Sequence, residues 1–239
     1  MELRLVQLWD DAMNRNGSQG NLLCLRRRLE WRGIPCSVRT VALGEPLGLE
    51  DCDLLYLGAG TPYENPALHE AVRAAAPELR AYVERGGVFL AVCEGFELMG
   101  ERVLLPDGTE IEGAGVGGFS SAYASKRITG NLAFRHGDET VVAFENHASY
   151  IVLQVGAEPL GTVLTGQGNN DLDDTVGLRY KNFFGCSAYS LLPLNPALAD
   201  ELLSAALLRR TGSGELVPLD DSFEVRAREK LLRRIKREA

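Results

Sequence analysis

Residues 86–100 read GGVFLAVCEGFELMG, an apolar run that ends at Cys93 and is followed at once by a helix-like segment. This order predicts a buried strand, a sharp turn that carries one cysteine, and the N-terminus of a helix. Free backbone N–H groups and a positive potential at a helix N-terminus favour a thiolate and stabilise an oxyanion. The stretch therefore predicts an α/β fold with Cys93 as a candidate nucleophile.

Apolar strand-like runs alternate with helix-like runs before this stretch. This alternation predicts a mainly parallel sheet flanked by helices. We predict strands at 3–9, 36–43 and 53–57 and helices at 22–32, 65–75 and 77–85. Beyond Gly100 we predict antiparallel strands at 127–134, 140–144 and 158–164, a last strand within 177–189, and a helix at 196–210.

The C-terminal segment is predicted to stand apart from the main domain. We expect one domain over residues 1–211, and over residues 212–239 a linker and an amphipathic helix. Apolar residues at helical spacing would form one stripe on that helix: Phe223, Ala227, Leu231 and Ile235. Two interpretations stay open, a helix that docks on the domain with a solvated basic face, and a helix that binds a partner.

The composition excludes several classes of protein. The 239 residues carry a formal net charge of −8, which argues against nucleic-acid binding because polyanions require a basic surface. No apolar run approaches the roughly 18 residues of a membrane span, and the N-terminus lacks the features of a signal peptide. The five cysteines are odd in number and widely spaced, which indicates reduced thiols in a cytoplasmic protein, with neither a disulfide framework nor a metal site.

A catalytic cysteine needs a base, and the chain has three histidines. His69 falls in a predicted surface helix and His136 in a polar turn, so we expect both to be solvated. His147 follows a predicted strand in the run FENH, with a carboxylate two residues earlier, and it is either a structural histidine or a substitute base. The glycine loop Gly58–Gly60 ends a neighbouring strand, so its N–H groups are candidates for an oxyanion hole.

Taken together, these motifs resemble the class I glutamine amidotransferases of the cobyric acid synthase type. Within that family, the glutaminase subunits of lipid II isoglutaminyl synthase are the most similar. The resemblance covers nearly the whole chain in order. It rests on the Cys93 turn, Gly58–Gly60, FENH (144–147), GQGNN (166–170), LRRRLEWRGI (25–34), YKN (180–182), LLPLNP (191–196) and LDDS (219–222).

The resemblance implies a flavodoxin-like fold and a cysteine that attacks the side-chain amide of glutamine. Ammonia would then pass to a Mur-ligase-like, ATP-dependent partner in a heterodimer, which amidates the D-glutamate carboxyl of the peptidoglycan precursor. By motif match, Cys93 corresponds to the nucleophile and Arg127, in KRITGN (126–131), to the arginine that binds the glutamine carboxylate. The oxyanion hole would be formed by Gly60 and Glu94, and no cofactor is implied.

The sequence departs from the family pattern where the chemistry takes place. The family's catalytic histidine lies in GTYLHGPLLP, whereas residues 185–193 read GCSAYSLLP, with Tyr189 or Ser190 at that place. A phenol, with an ordinary pKa of about 10, is a poor base near neutral pH. The family reads CGGYQ at the nucleophile and this chain reads CEGFE, so Glu94 brings a carboxylate beside Cys93, which would raise the pKa of the thiol.

Three functions remain open from the sequence. The first is a glutaminase subunit that feeds a ligase and uses His147, or residues of a partner, as the base. The second is a catalytically degenerate glutaminase homologue that acts as a non-catalytic ligase partner. The third is a cysteine hydrolase with another substrate, in which Glu94 and Glu97 recognise a cationic or amide group.

Overall fold

The computed structural model describes residues 2–238, except for the side chains of residues 124, 125 and 238. Strands and helices alternate through the first hundred residues. They are β1 (Leu3–Leu8), α1 (Gln19–Trp31), β2 (Cys36–Val41), β3 (Leu54–Leu57), α2 (Pro66–Glu84), β4 (Val88–Val92) and the single turn α3 (Glu94–Glu97).

Strands dominate the next ninety residues, and two long helices end the chain. The strands are β5 (Arg102–Leu104), β6 (Glu110–Glu112), β7 (Phe119–His136), β8 (Glu139–Leu153), β9 (Gly161–Thr165), β10 (Thr175–Val176), β11 (Leu178–Tyr180), β12 (Phe183–Cys186) and β13 (Ala188–Tyr189). The helices are α4 (Pro196–Thr211) and α5 (Ser222–Glu238).

The first sheet is parallel apart from one edge strand, as predicted. Its order is β11-β12-β4-β3-β1-β2, and only the β11–β12 pair is antiparallel. Helices α1 and α4 cover one face of this sheet and α2 covers the other, which buries the apolar strands on both sides. Because parallel strands end at the same edge, the loops after β1, β3 and β4 meet there.

A second, mostly antiparallel sheet packs beside the first and is built on the long β7–β8 ribbon. The strands predicted at 127–134 and 140–144 are the C-terminal part of β7 and the N-terminal part of β8, so β7 begins eight residues earlier and β8 ends nine residues later than predicted. The last strand predicted within 177–189 is divided into β11, β12 and β13. After β12 the chain leaves the first sheet, and β13 pairs with β8 in the second sheet. That crossing brings Tyr189 next to the edge where Cys93 lies.

The prediction of two helices at 65–75 and 77–85 is wrong, because α2 is continuous and holds Pro77 in its interior. Proline removes one backbone hydrogen bond from a helix, usually at a cost of about 3 kcal/mol. The apolar face of α2 continues past this position from Leu68 to Val83 and is buried against the first sheet. Burial of that face offsets the lost hydrogen bond.

A buried arginine fastens the C-terminal segment to the body of the protein. The Arg28 guanidinium, 2% exposed, makes two hydrogen bonds to Asp200 on α4 and two to Asp221, the residue before α5. Helix α5 itself packs Ile235 against Ala133 and Val142 of the β7–β8 ribbon. The prediction of an apolar stripe along this helix is therefore wrong at its first residue, Phe223, which is 73% exposed.

Within residues 2–238, none of the helices combines the length and the apolar character required to cross a bilayer.

Candidate active site

Cys93 stands at the carboxyl end of β4 in a sharp turn, as the sequence predicts. Its backbone has φ 54° and ψ −131°, in the left-handed region that a non-glycine residue adopts only under strain. The Cys93 N–H donates to the carbonyl of Cys186 on β12 at 2.8 Å, which fixes the turn. A Cβ at Gly95 would lie 2.4 Å from the Gly58 carbonyl, so the glycine permits close approach to the neighbouring loop.

The surroundings of Cys93 disfavour a thiolate. The side chain is 2% exposed, and burial raises the pKa of the thiol well above its ordinary value, with the Glu94 and Glu97 carboxylates adding to the rise. A hydrogen bond from Tyr189 only partly opposes this. The expectation that a helix N-terminus would lower the pKa is wrong, because α3 is one turn long and its two acidic residues oppose its dipole.

Tyr189 occupies the place where a base would have to act on Cys93. Its hydroxyl lies within hydrogen-bond reach of the Cys93 thiol and of the Glu94 carboxylate. Asn16, in the loop after β1, donates its side-chain N–H to the same hydroxyl at 3.1 Å. Burial, Cys93 and Glu94 raise the pKa of Tyr189 well above that of a free phenol, so it cannot accept the proton of the thiol near neutral pH.

The Glu94 side chain turns back over the turn that carries it. Its carboxylate accepts a hydrogen bond from the Gly60 N–H at 3.3 Å and lies against its own backbone N–H, which lowers the pKa of Glu94. These two N–H groups are the candidate oxyanion donors identified from the sequence. Burial raises the pKa of Glu94 while the two N–H groups and Arg127 lower it. The Glu94 carboxylate thus occupies both donors that an oxyanion would need.

Arg127 lies at the open side of this cluster. Its guanidinium donates to the Asn146 side-chain oxygen at 2.7 Å and to the Asn146 carbonyl at 3.2 Å. Its charge also lowers the pKa of Glu94 and of Glu97. The arginine therefore acts on the carboxylates of this cluster through its charge, while its hydrogen bonds go to Asn146.

The structure does not connect His147 to the Cys93 thiol. The residue lies in the interior of β8, paired with Ile128, so the expectation that it ends a strand is wrong. Its Nδ1 is 2.8 Å from the Ser149 carbonyl, and its Nε2 has no hydrogen-bond partner within residues 2–238. Burial lowers the pKa of His147, which keeps the ring neutral at physiological pH.

Two polar residues of the site, Tyr63 and Asn16, were not identified from the sequence, whereas Glu97 was, as a residue that would recognise a cationic or amide group. Glu97 is buried and accepts hydrogen bonds from the hydroxyls of Tyr63 and Ser149, and burial raises its pKa to about 7. Tyr63 follows the glycine loop after β3 and Asn16 follows β1, so both lie at the carboxyl edge of the sheet. That position is the one signal that could have identified them.

The remaining histidines are not at the site. His69 lies on α2 with its Nε2 2.8 Å from the Pro62 carbonyl. His136 ends β7 and contacts the Leu160 carbonyl and the Glu201 carboxylate, each at 2.7 Å. The expectation that His136 is merely solvated is therefore wrong, because it joins β7 to α4.

Curated proteins of known activity resemble the chain along nearly its full length. It is 30% identical to the lipid II isoglutaminyl synthase (glutamine-hydrolyzing) subunit GatD of Staphylococcus aureus, over 99% of this chain and 98% of that protein. The GatD subunit of Streptococcus pneumoniae is 31% identical over 91% of this chain and 85% of its own length. A cobyric acid synthase of Crocosphaera subtropica is 38% identical over 34% of this chain.

Solved structures agree on the fold. A glutamine amidotransferase superposes with a TM-score of 0.58 at 16% identity and covers 84% of this chain and 98% of its own. The glutaminase domain of Trypanosoma brucei CTPS, solved with bound acivicin, gives a TM-score of 0.58 at 12% identity, over 90% and 96%. Residues 5–192 match the CobB/CobQ-like glutamine amidotransferase domain. The chain belongs to this domain family and is homologous to the GatD subunits along nearly its entire length.

Proposed function

We propose that this chain is a glutamine amidotransferase-like subunit that pairs with an ATP-dependent ligase and does not itself hydrolyse glutamine. The ligase would be of the Mur type, in a cytoplasmic heterodimer that amidates the D-glutamate carboxyl of a peptidoglycan precursor. One observation supports the proposal that the chain does not hydrolyse glutamine. The Glu94 carboxylate lies against the N–H groups of Gly60 and of Glu94 itself.

Occupied oxyanion donors remove the main source of stabilisation for acyl transfer. Loss of one such donor lowers kcat about 100- to 1,000-fold in hydrolases that use them. At this site a carboxyl group stands where negative charge must develop, which blocks the tetrahedral intermediate further. The buried, protonated Cys93 thiol and its Tyr189 partner add a second obstacle, because neither group supplies the thiolate.

Pairing with a ligase is supported by the extent of the similarity. The two curated relatives are each a subunit of a lipid II isoglutaminyl synthase, and one of them aligns with 99% of this chain. Such a match reaches the linker and helix α5, well beyond residues 5–192. The ligase would then take free ammonia as its nitrogen donor.

A second candidate is an active glutaminase, with glutamine as substrate. It is favoured by the strained φ of Cys93, which is the geometry of a nucleophile at a strand–helix turn, and by Arg127 as the carboxylate-binding residue. In that case Glu94 and Tyr189 would have to leave the thiol when glutamine binds, and His147 or a partner residue would act as the base.

Amidation by the complex distinguishes the two. The chain is co-expressed with a candidate Mur-type ligase, and the purified pair is given ATP and the lipid-linked acceptor with either ammonium chloride or glutamine. We expect co-elution and amidation from ammonium chloride, with none from glutamine and no effect of Cys93→Ala. Glutamine-dependent amidation that Cys93→Ala abolishes would establish the second candidate, and failure to co-elute would remove the pairing.

Opening the site provides a second arm of the same experiment. The double variant Glu94→Gly with Tyr189→His removes the carboxylate from the oxyanion donors and restores an imidazole beside Cys93. Ser190→His is the matched control, because Ser190 is exposed and has φ 50°. Cys93-dependent glutamine hydrolysis in the double variant alone would support closure by Glu94 and Tyr189.

A further inference from the structure

Helix α5 carries a positive net charge, whereas the rest of the protein carries a negative one. Residues 222–239 hold seven Arg and Lys against three Glu, a net charge of +4, whereas residues 1–221 hold 18 basic and 30 acidic residues, a net charge of −12. A basic surface on an otherwise acidic chain makes the charge distribution of the molecule asymmetric. Anionic surfaces attract the α5 side and repel the others.

The charges on α5 are arranged as a stripe that faces away from the body. Ile235 and Leu231 pack against the body, and Arg228 pairs with Glu139 on the same side at 3.2 Å. The opposite side carries cations at helical spacing, all of them exposed: Arg226, Lys230, Arg233 and Arg237. At a rise of 1.5 Å per residue the stripe is roughly 16 Å long.

One large apolar side chain is exposed beside the stripe. Phe223, at the start of α5, is 73% exposed, and Val217 in the preceding linker is 71% exposed. Stable protein–protein interfaces usually bury an apolar core surrounded by a polar rim. The stripe has no such core, and a convex row of cations with an aromatic ring at its end fits the charged surface of an anionic bilayer better.

The body holds the stripe in a fixed orientation. The Arg28 guanidinium bonds Asp221 immediately before α5, and Ile235 anchors the helix near its other end. Because the apolar side of α5 is already buried, the helix cannot insert into a bilayer. It can only lie against the headgroups, which gives weak, reversible and salt-sensitive binding.

We propose that the exposed face of α5 is a peripheral docking surface for anionic phospholipid headgroups, with Phe223 at its edge. Four cations and one interfacial aromatic ring would hold the molecule with α5 toward the bilayer and the acidic surfaces away from it. The inference does not depend on whether the Cys93 site hydrolyses glutamine.

Vesicle co-sedimentation tests the proposal on the full chain. The probes are vesicles of phosphatidylcholine with about 30% phosphatidylglycerol, and vesicles of phosphatidylcholine alone, at about 0.1 M and about 0.5 M salt. A four-site variant replaces the stripe: Arg226→Gln, Lys230→Gln, Arg233→Gln and Arg237→Gln. A matched control makes the same charge change on other exposed surfaces: Arg15→Gln, Arg27→Gln, Arg73→Gln and Arg102→Gln.

Each cation near an anionic surface contributes about a fivefold increase in partitioning. We therefore expect the stripe variant, which lacks four cations, to lose roughly 600-fold in partitioning onto the anionic vesicles. The matched control should bind like the wild type, binding should fall at high salt, and neutral vesicles should not bind. Circular dichroism confirms that both variants are folded, and Phe223→Ala should weaken binding without changing its salt dependence.

Two results would overturn the inference. One is equal loss of binding in the stripe variant and the matched control, which would reduce the effect to net charge. The other is that the wild-type chain does not bind anionic vesicles, whereas the stripe variant no longer co-elutes with the proposed ligase. That result would assign the surface to binding of an acidic protein.

Discussion

The interaction that positions α5 gives the most quantitative prediction. Arg28→Met removes a guanidinium that is 2% exposed and makes four hydrogen bonds, at 2.6 to 2.9 Å, to Asp200 and Asp221. Removing one partner of a buried ion pair costs about 3–5 kcal/mol, because the other charge is left without compensation. Methionine preserves the length of the side chain, so the loss of charge is the main change.

Two features place the expected loss at the low end of that range. The Asp200 and Asp221 side chains are 27% and 24% exposed, so water takes over part of their solvation. Asp200 also keeps its ion pair with Arg32, in which the nitrogen–oxygen distance is 2.6 Å. We expect Arg28→Met to lower the free energy of unfolding by about 3 kcal/mol, which corresponds to roughly 6–12 °C in Tm for a chain of this length.

Urea unfolding followed by tryptophan fluorescence measures this directly. The control is Arg27→Met, because Arg27 is exposed and its ion pair among the described residues is with Glu30, so its loss should stay within about 0.5 kcal/mol. Asp221→Asn should fall between the two and should release α5, detected as faster proteolysis at 212–221. If Arg28→Met lowered the free energy of unfolding by less than about 1 kcal/mol, this arginine would not be the residue that anchors the C-terminal segment.

Three further predictions concern titrating groups. The folded chain keeps the Glu97 proton up to about pH 7, whereas the unfolded chain releases it near pH 4.3, so wild-type stability falls across that window. Glu97→Gln should therefore gain about 2–3 kcal/mol relative to wild type between those limits in urea unfolding. Glu201 raises the pKa of His136, so the pair contributes stability below the ordinary histidine pKa of about 6.5 and loses it as pH rises further. His136→Gln should cost about 1 kcal/mol at pH 6 and almost nothing well above neutral pH. Iodoacetamide should alkylate Cys93 on the order of a hundredfold more slowly than the half-buried Cys36, by mass spectrometry.

Each of these has a result that would contradict it. A pH-independent difference between Glu97→Gln and wild type would mean that Glu97 is ionised throughout. If the stability difference of His136→Gln grew with pH, the histidine would be neutral in its contact with Glu201. Rapid alkylation of Cys93 would show that the thiol is open to solvent and reactive, contrary to its burial and raised pKa.

The fold could be predicted from the sequence wherever local pattern and burial agree. The apolar strands that end at Leu57 and Val92 are buried on both faces, so their composition alone identifies them. Pro77 led to the wrong prediction of two helices, because the local preference of proline is outweighed by an apolar helix face that is buried only in the tertiary structure. The full length of β7 and β8 was underestimated because buried positions in the missed parts carry polar residues, Ser121 on β7 and Glu145, His147 and Ser149 on β8, so apolar residues do not alternate there.

The site could be predicted only in outline. Cys93 and Glu94 were identified because they are adjacent in sequence and the turn between strand and helix has a recognisable pattern. The hydrogen bonds from Gly60 and Asn16 depend on three loops meeting at one edge of the sheet, and no sequence spacing encodes that. The direction of the Cys93 pKa depends on burial, which exceeded the small effect of a one-turn helix.

The most direct test of the closed site is glutamate release from glutamine by the chain, alone and with the proposed ligase, comparing wild type with Cys93→Ala. With Glu94 on both oxyanion donors and Tyr189 on the thiol, the two should release glutamate at the same background rate. A wild-type rate that exceeds the Cys93→Ala rate by on the order of a hundredfold or more would show that the site opens and turns over, and would contradict the account.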